Sequence, residues 1–209
     1  HGGGWRTIYA HMRRDSVLRR AGDKVAAGDR LGLVGLSGLS EFPHVHFAVE
    51  YRGRPVDPFT GPGPRIGCKT ASGSMWRPKL RSRLIYRPTF SLRAGFSTRP
   101  MTQAALQYGL YDRTALSRRA GRLYFGILVA GLYKGDTFRF RLQDAAGKTL
   151  RDLNGVETQR RGVRFYTAAL KRIQRLPPGR YTARFTLNGV RNGRRGLVLE
   201  ESRTLDLGR

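Results

Sequence analysis

The chain has 209 residues, of which 39% are hydrophobic and 10% aromatic. That is enough to bury a core and excludes general disorder. A net charge of +26, from 40 Lys+Arg against 14 Asp+Glu, attracts polyanions such as nucleic acid, anionic lipid or wall polymers. The arginines are spread along the whole chain and no nucleic-acid module signature accompanies them, so composition bias and solvated faces explain the same charge.

No run approaches the roughly eighteen apolar residues of a membrane-spanning helix. The longest apolar stretch, Phe125 to Tyr133, is broken by Gly126 and Gly131. The chain begins with His1, and no signal peptide precedes the first motif, which reads as a truncated chain. Cys68 is the single cysteine; it forms no internal disulfide and reads as a buried thiol or the partner of a cysteine elsewhere.

In chain order, Gly2-Gly-Gly4 is a tight turn, since it lacks the Lys-Ser/Thr of a phosphate loop and leads into a strand. Trp5 to Met12 alternates, with Ile8, Ala10 and Met12 on one face and Thr7, Tyr9 and His11 on the other. Ala21 to Gly32 contains Gly-Asp twice, each a turn next to an apolar pair. Lys24 precedes its apolar pair and does not suit a carrier lysine. Leu31 to Leu36 reads as a short buried strand, and Gly38 to Pro43 as a loop.

His44 to Tyr51 alternates again. His44 and His46 share a face with Ala48 and Glu50, while Val45, Phe47, Val49 and Tyr51 take the other. Imidazole is a common zinc ligand and the side chain best suited to proton transfer near neutral pH. His-x-His alone equally suits a solvated strand face. With His11, however, three of the four histidines fall on strand positions opposite the apolar face.

Residues 63–84, with Gly61-Pro-Gly-Pro64 and a Ser-, Gly- and Arg-containing run, read as a basic linker. Residues 85–209 follow as a second unit. Its predicted strands are Thr89 to Ala94, Leu123 to Gly131, Thr137 to Gln143, Lys148 to Asp152, Tyr181 to Leu187 and Leu197 to Leu205. Asp144 to Gly147 and Asn188-Gly189 are predicted hairpin turns. Met101 to Tyr108 and Tyr166 to Ile173 are predicted short helices. The unit contains no histidine and no catalytic constellation, which reads as a structural or binding module.

The order Trp5…Thr7-Ile-Tyr-Ala-His-Met12, Ala21 to Gly32, Gly35-Leu-Ser-Gly38, Pro43-His-Val-His-Phe47 and Gly53-Arg-Pro-Val-Asp-Pro58 resembles the LytM/lysostaphin-type zinc metallopeptidases, the duplicated hybrid motif family. The resemblance covers residues 1 to about 60. It implies the C-terminal part of a peptidase domain over residues 1–62, with zinc as cofactor, His46 as metal ligand, and His11 and His44 as catalytic residues. It implies a zinc endopeptidase that cuts peptide cross-links of peptidoglycan, in the periplasm or secreted. The family's two further zinc ligands come from an earlier His-x3-Asp motif, expected upstream of His1. The 209 residues alone are therefore expected to hold no catalytic zinc tightly and to be inactive. His11-Met-Arg-Arg-Asp15 has that spacing, but His11 already matches the Tyr-Ala-His position, and Asp15 reads as a turn residue. His1 reads as a terminal residue.

The expected fold is all-β: a truncated antiparallel sheet domain, then an Ig-like β-sandwich over 85–209. Two other functions remain open. One is a degenerate member of the same fold that binds or activates another wall hydrolase. The other is a polyanion-binding protein driven by charge alone.

Overall fold

The computed structural model describes residues 1–40, 42–62, 73–85 and 87–208. Cys68 and residues 63–72 of the expected linker lie outside them. The chain forms two compact units, His1–Tyr86 and Arg87–Arg209. Nearly all regular structure is β, as expected from the alternating patterns.

In the first unit, β1 (Trp5–Ala10), β2 (His46–Tyr51) and β3 (Arg54–Val56) form an antiparallel sheet in the order β1-β2-β3. The outer edge of β1 has no strand partner among the described residues. Paired residues of an antiparallel ladder put their side chains on the same face. Trp5 faces Tyr51 and Tyr9 faces Phe47, with ring centroids 4.6 and 5.2 Å apart. This aromatic face is extended by Trp76, whose ring lies 5.6 Å from Phe47 and 5.7 Å from Phe59. Trp76, within the expected linker, thus packs on the sheet, next to the short helix α1 (Pro78–Arg81).

The two Gly-Asp turns form as read. Gly22 and Gly28 take positive φ of 94° and 103°. Each following carboxylate, Asp23 and Asp29, accepts a hydrogen bond from the backbone N–H three residues earlier. Leu31 to Leu36 differs from expectation. It is not a buried strand: Leu33 and Val34 are exposed, and the segment contributes two isolated bridges instead, Met12 to Val34 and Gly35 to His44.

The second unit has two sheets. One has the order β5-β11-β10-β7-β8 and the other β4-β6-β9. The strands are β4 (Phe90–Ser97), β5 (Ala115–Ser117), β6 (Arg122–Leu132), β7 (Thr137–Gln143), β8 (Thr149–Val156), β9 (Arg161–Lys171), β10 (Gly179–Arg191) and β11 (Arg194–Gly208). Phe140, Leu142, Ala183, Phe185, Leu187, Leu205 and Leu207 from the first sheet share one core with Phe96, Phe125, Ile127, Val129 and Tyr166 from the second. A short helix, α2 (Gln103–Gln107), buries Leu106 completely; its Thr102 cap accepts from Ala105 N–H at 3.2 Å.

Two local expectations fail here, and one strand was not anticipated. Tyr166 to Ile173 is not a helix: most of it lies in β9, which pairs with β6, and a short 3-10 turn begins at Ile173. Its apolar residues at helical spacing are outweighed by a long antiparallel ladder. Asn188-Gly189 is not a turn; it lies inside β10, at a bulge between Leu187 and Asn188. The hairpin turn falls at Asn192-Gly193, both with positive φ (51° and 76°). Gly189 is needed for room, because a Cβ there would overlap the Asp136 carboxylate. The three-residue strand β5 had no sequence signal, and it pairs parallel to β11.

Candidate metal centre

His11, His44 and His46 come together in the first unit. One ring nitrogen from each lies within 4.8 Å of the others. Ring centroids are 4.8 Å apart for His11 and His44 and 5.6 Å for His11 and His46. No carboxylate or cysteine joins this group among the described residues. His1 stands apart from it, its Nε2 2.7 Å from Thr7 Oγ1 on the aromatic face. Asp15 is an exposed residue with φ 59° and is also outside the group, as a turn residue should be.

His44 and His46 converge as strand spacing requires. His11 does so by a different route from the one its alternation suggests. Tyr9 pairs with Phe47 and Ala10 with His46, so the face of Tyr9 is the aromatic face, opposite His46. Continued alternation would have put His11 there too. Instead β1 ends at Ala10 and His11 adopts a left-handed φ of 59°, which turns its ring to the side of His46. The division of faces is therefore corrected: Ile8 and Ala10 share the histidine side with Ala48, and Tyr9 lies opposite.

The backbone beyond His11 is held by its neighbours. Arg13 N–H donates to Leu33 C=O at 2.9 Å, and His44 N–H to Gly35 C=O at 3.3 Å. The segment from Leu33 to Gly35 thus lies between the two histidine-bearing stretches and sets their separation. Gly35 permits this closeness, since a Cβ there would overlap the backbone of Met12 and Arg13.

Hydrogen bonds also fix which nitrogens are free. His11 Nδ1 lies 2.8 Å from Ser37 C=O, and His44 Nδ1 lies 2.8 Å from Phe42 C=O. A carbonyl oxygen only accepts, so in both rings Nδ1 is the donor, and the neutral tautomer this selects leaves the lone pair on Nε2. Gly38, with φ +72°, follows the carbonyl that orients His11. The Phe42 ring packs 4.8 Å from that of His44. His46 is exposed, and no hydrogen bond engages its ring nitrogens among the described residues. This donor set fits zinc: neutral imidazoles with lone pairs available, two of them oriented by backbone carbonyls.

Sequence reasoning did not find Ser37, Gly38 and Phe42 as the residues that orient the imidazoles. The Gly35-Leu-Ser-Gly38 spacing was the available signal.

Comparison with known proteins gives the same location. Residues 1–58 match the description Peptidase family M23. An uncharacterized metalloprotease of Haemophilus influenzae is 34% identical over 83 residues, 39% of this chain and 17% of that protein. Peptidoglycan DD-endopeptidase ShyA of Vibrio cholerae is 40% identical over 57 residues, 27% of this chain and 13% of that protein. Cell division protein DipM of Caulobacter vibrioides is 38% identical over 64 residues, 28% of this chain and 10% of that protein. The chain thus spans less than a fifth of the length of each of these relatives.

Proposed function

We propose that this chain, whose residues 1–58 match Peptidase family M23, is part of a zinc metalloendopeptidase that hydrolyses peptide cross-links of bacterial peptidoglycan at the cell envelope. The observation that carries the reading is the convergence of His11, His44 and His46 within 4.8 Å. His46, with both ring nitrogens uncommitted, is the zinc ligand. His11 and His44 are the catalytic pair. When bound, zinc supplies Lewis acidity toward the scissile carbonyl and the attacking water.

The two oriented imidazoles move protons. In the reaction, water adds to the amide carbonyl, the C–N bond breaks, and the amine leaves with a proton. The free Nε2 of His44 accepts the proton of the attacking water and returns it to the leaving amine. His11, protonated at Nε2 by solvent, donates to the oxygen on which negative charge develops and keeps that proton when the carbonyl re-forms. The Phe42 carbonyl holds His44 in the tautomer its role as base requires, and the Ser37 carbonyl fixes the orientation of the His11 ring. The second unit, with two sheets facing one core, is read as an Ig-like β-sandwich accessory module.

The test is digestion of purified cross-linked muropeptides, read by mass spectrometry. Expected are uncross-linked products from the full-length protein that carries this chain, none after chelation, and a rate lower by about 10²–10⁴ for His44→Ala. An undiminished rate for His44→Ala would remove the assignment.

A second reading draws on the relative named for cell division rather than for a peptidase: a non-catalytic member that binds or activates another wall hydrolase. It is supported if the full-length protein binds peptidoglycan but no zinc and releases no product.

A further inference from the structure

Three turns meet at one end of the second unit: Tyr133 to Asp136 after β6, Glu157 to Arg160 after β8, and Asn192-Gly193 between β10 and β11. Hydrogen bonds and cation–ring contacts tie them together. Arg191 donates to both Asp136 oxygens, at 2.9 and 2.8 Å, and to Thr89 Oγ1 at 2.7 Å. Its guanidinium and that of Arg160 lie 4.1 and 5.3 Å from the Tyr133 ring centre. Glu157 N–H donates to Asp136 C=O at 2.8 Å.

The carboxylates at this end point inward. Asp136 and Glu157 are each 1% exposed, and they are occupied by Arg191, Arg164 and the Tyr166 hydroxyl. What remains outward is positive. Lys134, Arg160, Arg194 and Arg195 are exposed, and none has a carboxylate within 4 Å among the described residues. Arg194 sits directly opposite Arg191 in the hairpin register, and the nearby Asp136 is already committed to Arg191. By contrast, Arg139 and Arg184 on the outer face of the five-stranded sheet are answered by Asp152 and Glu200.

We propose that this end of the second unit, through Lys134, Arg160, Arg194 and Arg195, docks on the carboxylates of peptidoglycan peptides and so holds the chain on the polymer it cuts. Guanidinium groups pair carboxylates through two parallel hydrogen bonds. Docking by one unit raises the effective concentration of the polymer at the other. The identity of the polymer rests on the proposed peptidase reading; the anion site does not.

The experiment is co-sedimentation of the whole chain with purified peptidoglycan sacculi. The wild type is compared with the quadruple variant Lys134→Ser, Arg160→Ser, Arg194→Ser, Arg195→Ser. A control quadruple, Arg113→Ser, Arg119→Ser, Lys171→Ser, Arg175→Ser, removes the same charge from other exposed positions. Expected is a loss of affinity of about tenfold in the first variant, about 1.4 kcal/mol, and less than twofold in the control. Equal losses in both would overturn the site, leaving only diffuse charge. Tighter binding of single-stranded DNA than of sacculi, with the same dependence on the first variant, would overturn the choice of polymer. The readout needs no cleavage, so failure of the peptidase reading appears separately, as sacculi that are bound but never cut.

Discussion

His11 is the residue on which the candidate centre turns. A left-handed backbone at a residue with a Cβ costs about 1–2 kcal/mol, and such strain persists only where the surroundings over-determine it. Here the Ser37 carbonyl, the bridge from Met12 to Val34 and the Arg13 to Leu33 hydrogen bond hold it. The glycine that admits this packing is Gly35. Gly35→Ala is expected to destabilise the first unit by about 1–3 kcal/mol and to weaken zinc binding with it. Denaturant unfolding followed by Trp5 and Trp76 fluorescence checks this; a wild-type midpoint would mean the close approach is not required. At this scale the sequence showed His44 and His46 on one face, because spacing of two is enough. It did not show the turn at His11, since histidine carries no strong local signal for positive φ. The resemblance, not the alternation, brought His11 to the site.

At the scale of elements, β7 and β10 were legible because Phe138, Phe140, Leu142 and Tyr181, Ala183, Phe185, Leu187 alternate over one buried face. β9 was not, because its apolar residues also fit a helical period and its strand state depends on pairing with the distant β6. Nor was the hairpin turn. Asn188-Gly189 has turn chemistry, but Gly189 is there to make room for Asp136, and the chain turns four residues later. Within β9, Tyr166 donates its hydroxyl to Glu157 at 2.5 Å. Burial, then this bond to the carboxylate, raises the tyrosine's pKa well above its ordinary value near 10. A raised folded-state value means a stabilising contribution that is complete below about pH 10 and lost as pH rises toward the folded value. Melting temperature should therefore fall above pH 10 more steeply in the wild type than in Tyr166→Phe. Parallel curves would show that Tyr166 does not contribute. In α2, Thr102→Ala should cost about 1 kcal/mol through loss of the cap, read as a shift in the denaturant midpoint.

At the scale of the whole molecule, a charge of +26 is compatible with folding because the few carboxylates are placed where they matter. Asp136 and Glu157 are buried beneath arginines that also join elements. Arg191 links β10 to Thr89 before β4 and to the turn after β6. Arg191→Met would leave Asp136 buried without its cation, and breaking such a pair costs about 3–5 kcal/mol. Thermal unfolding should show a large drop, and a drop of under about 1 kcal/mol would mean that Asp136 finds another partner. Net charge alone suggested only that polyanions are attracted. Which arginines remain unanswered depends on the strand register, and no sequence count contains that.

The most direct measurement is a zinc titration by calorimetry of the full-length protein that carries this chain, alongside His11→Ala, His44→Ala and His46→Ala. The expected result is one ion per chain, with affinity reduced at least about tenfold, or 1.4 kcal/mol, in His46→Ala and by less in the other two. Zinc binding by His46→Ala as tight as the wild type's would contradict the assignment of the metal centre.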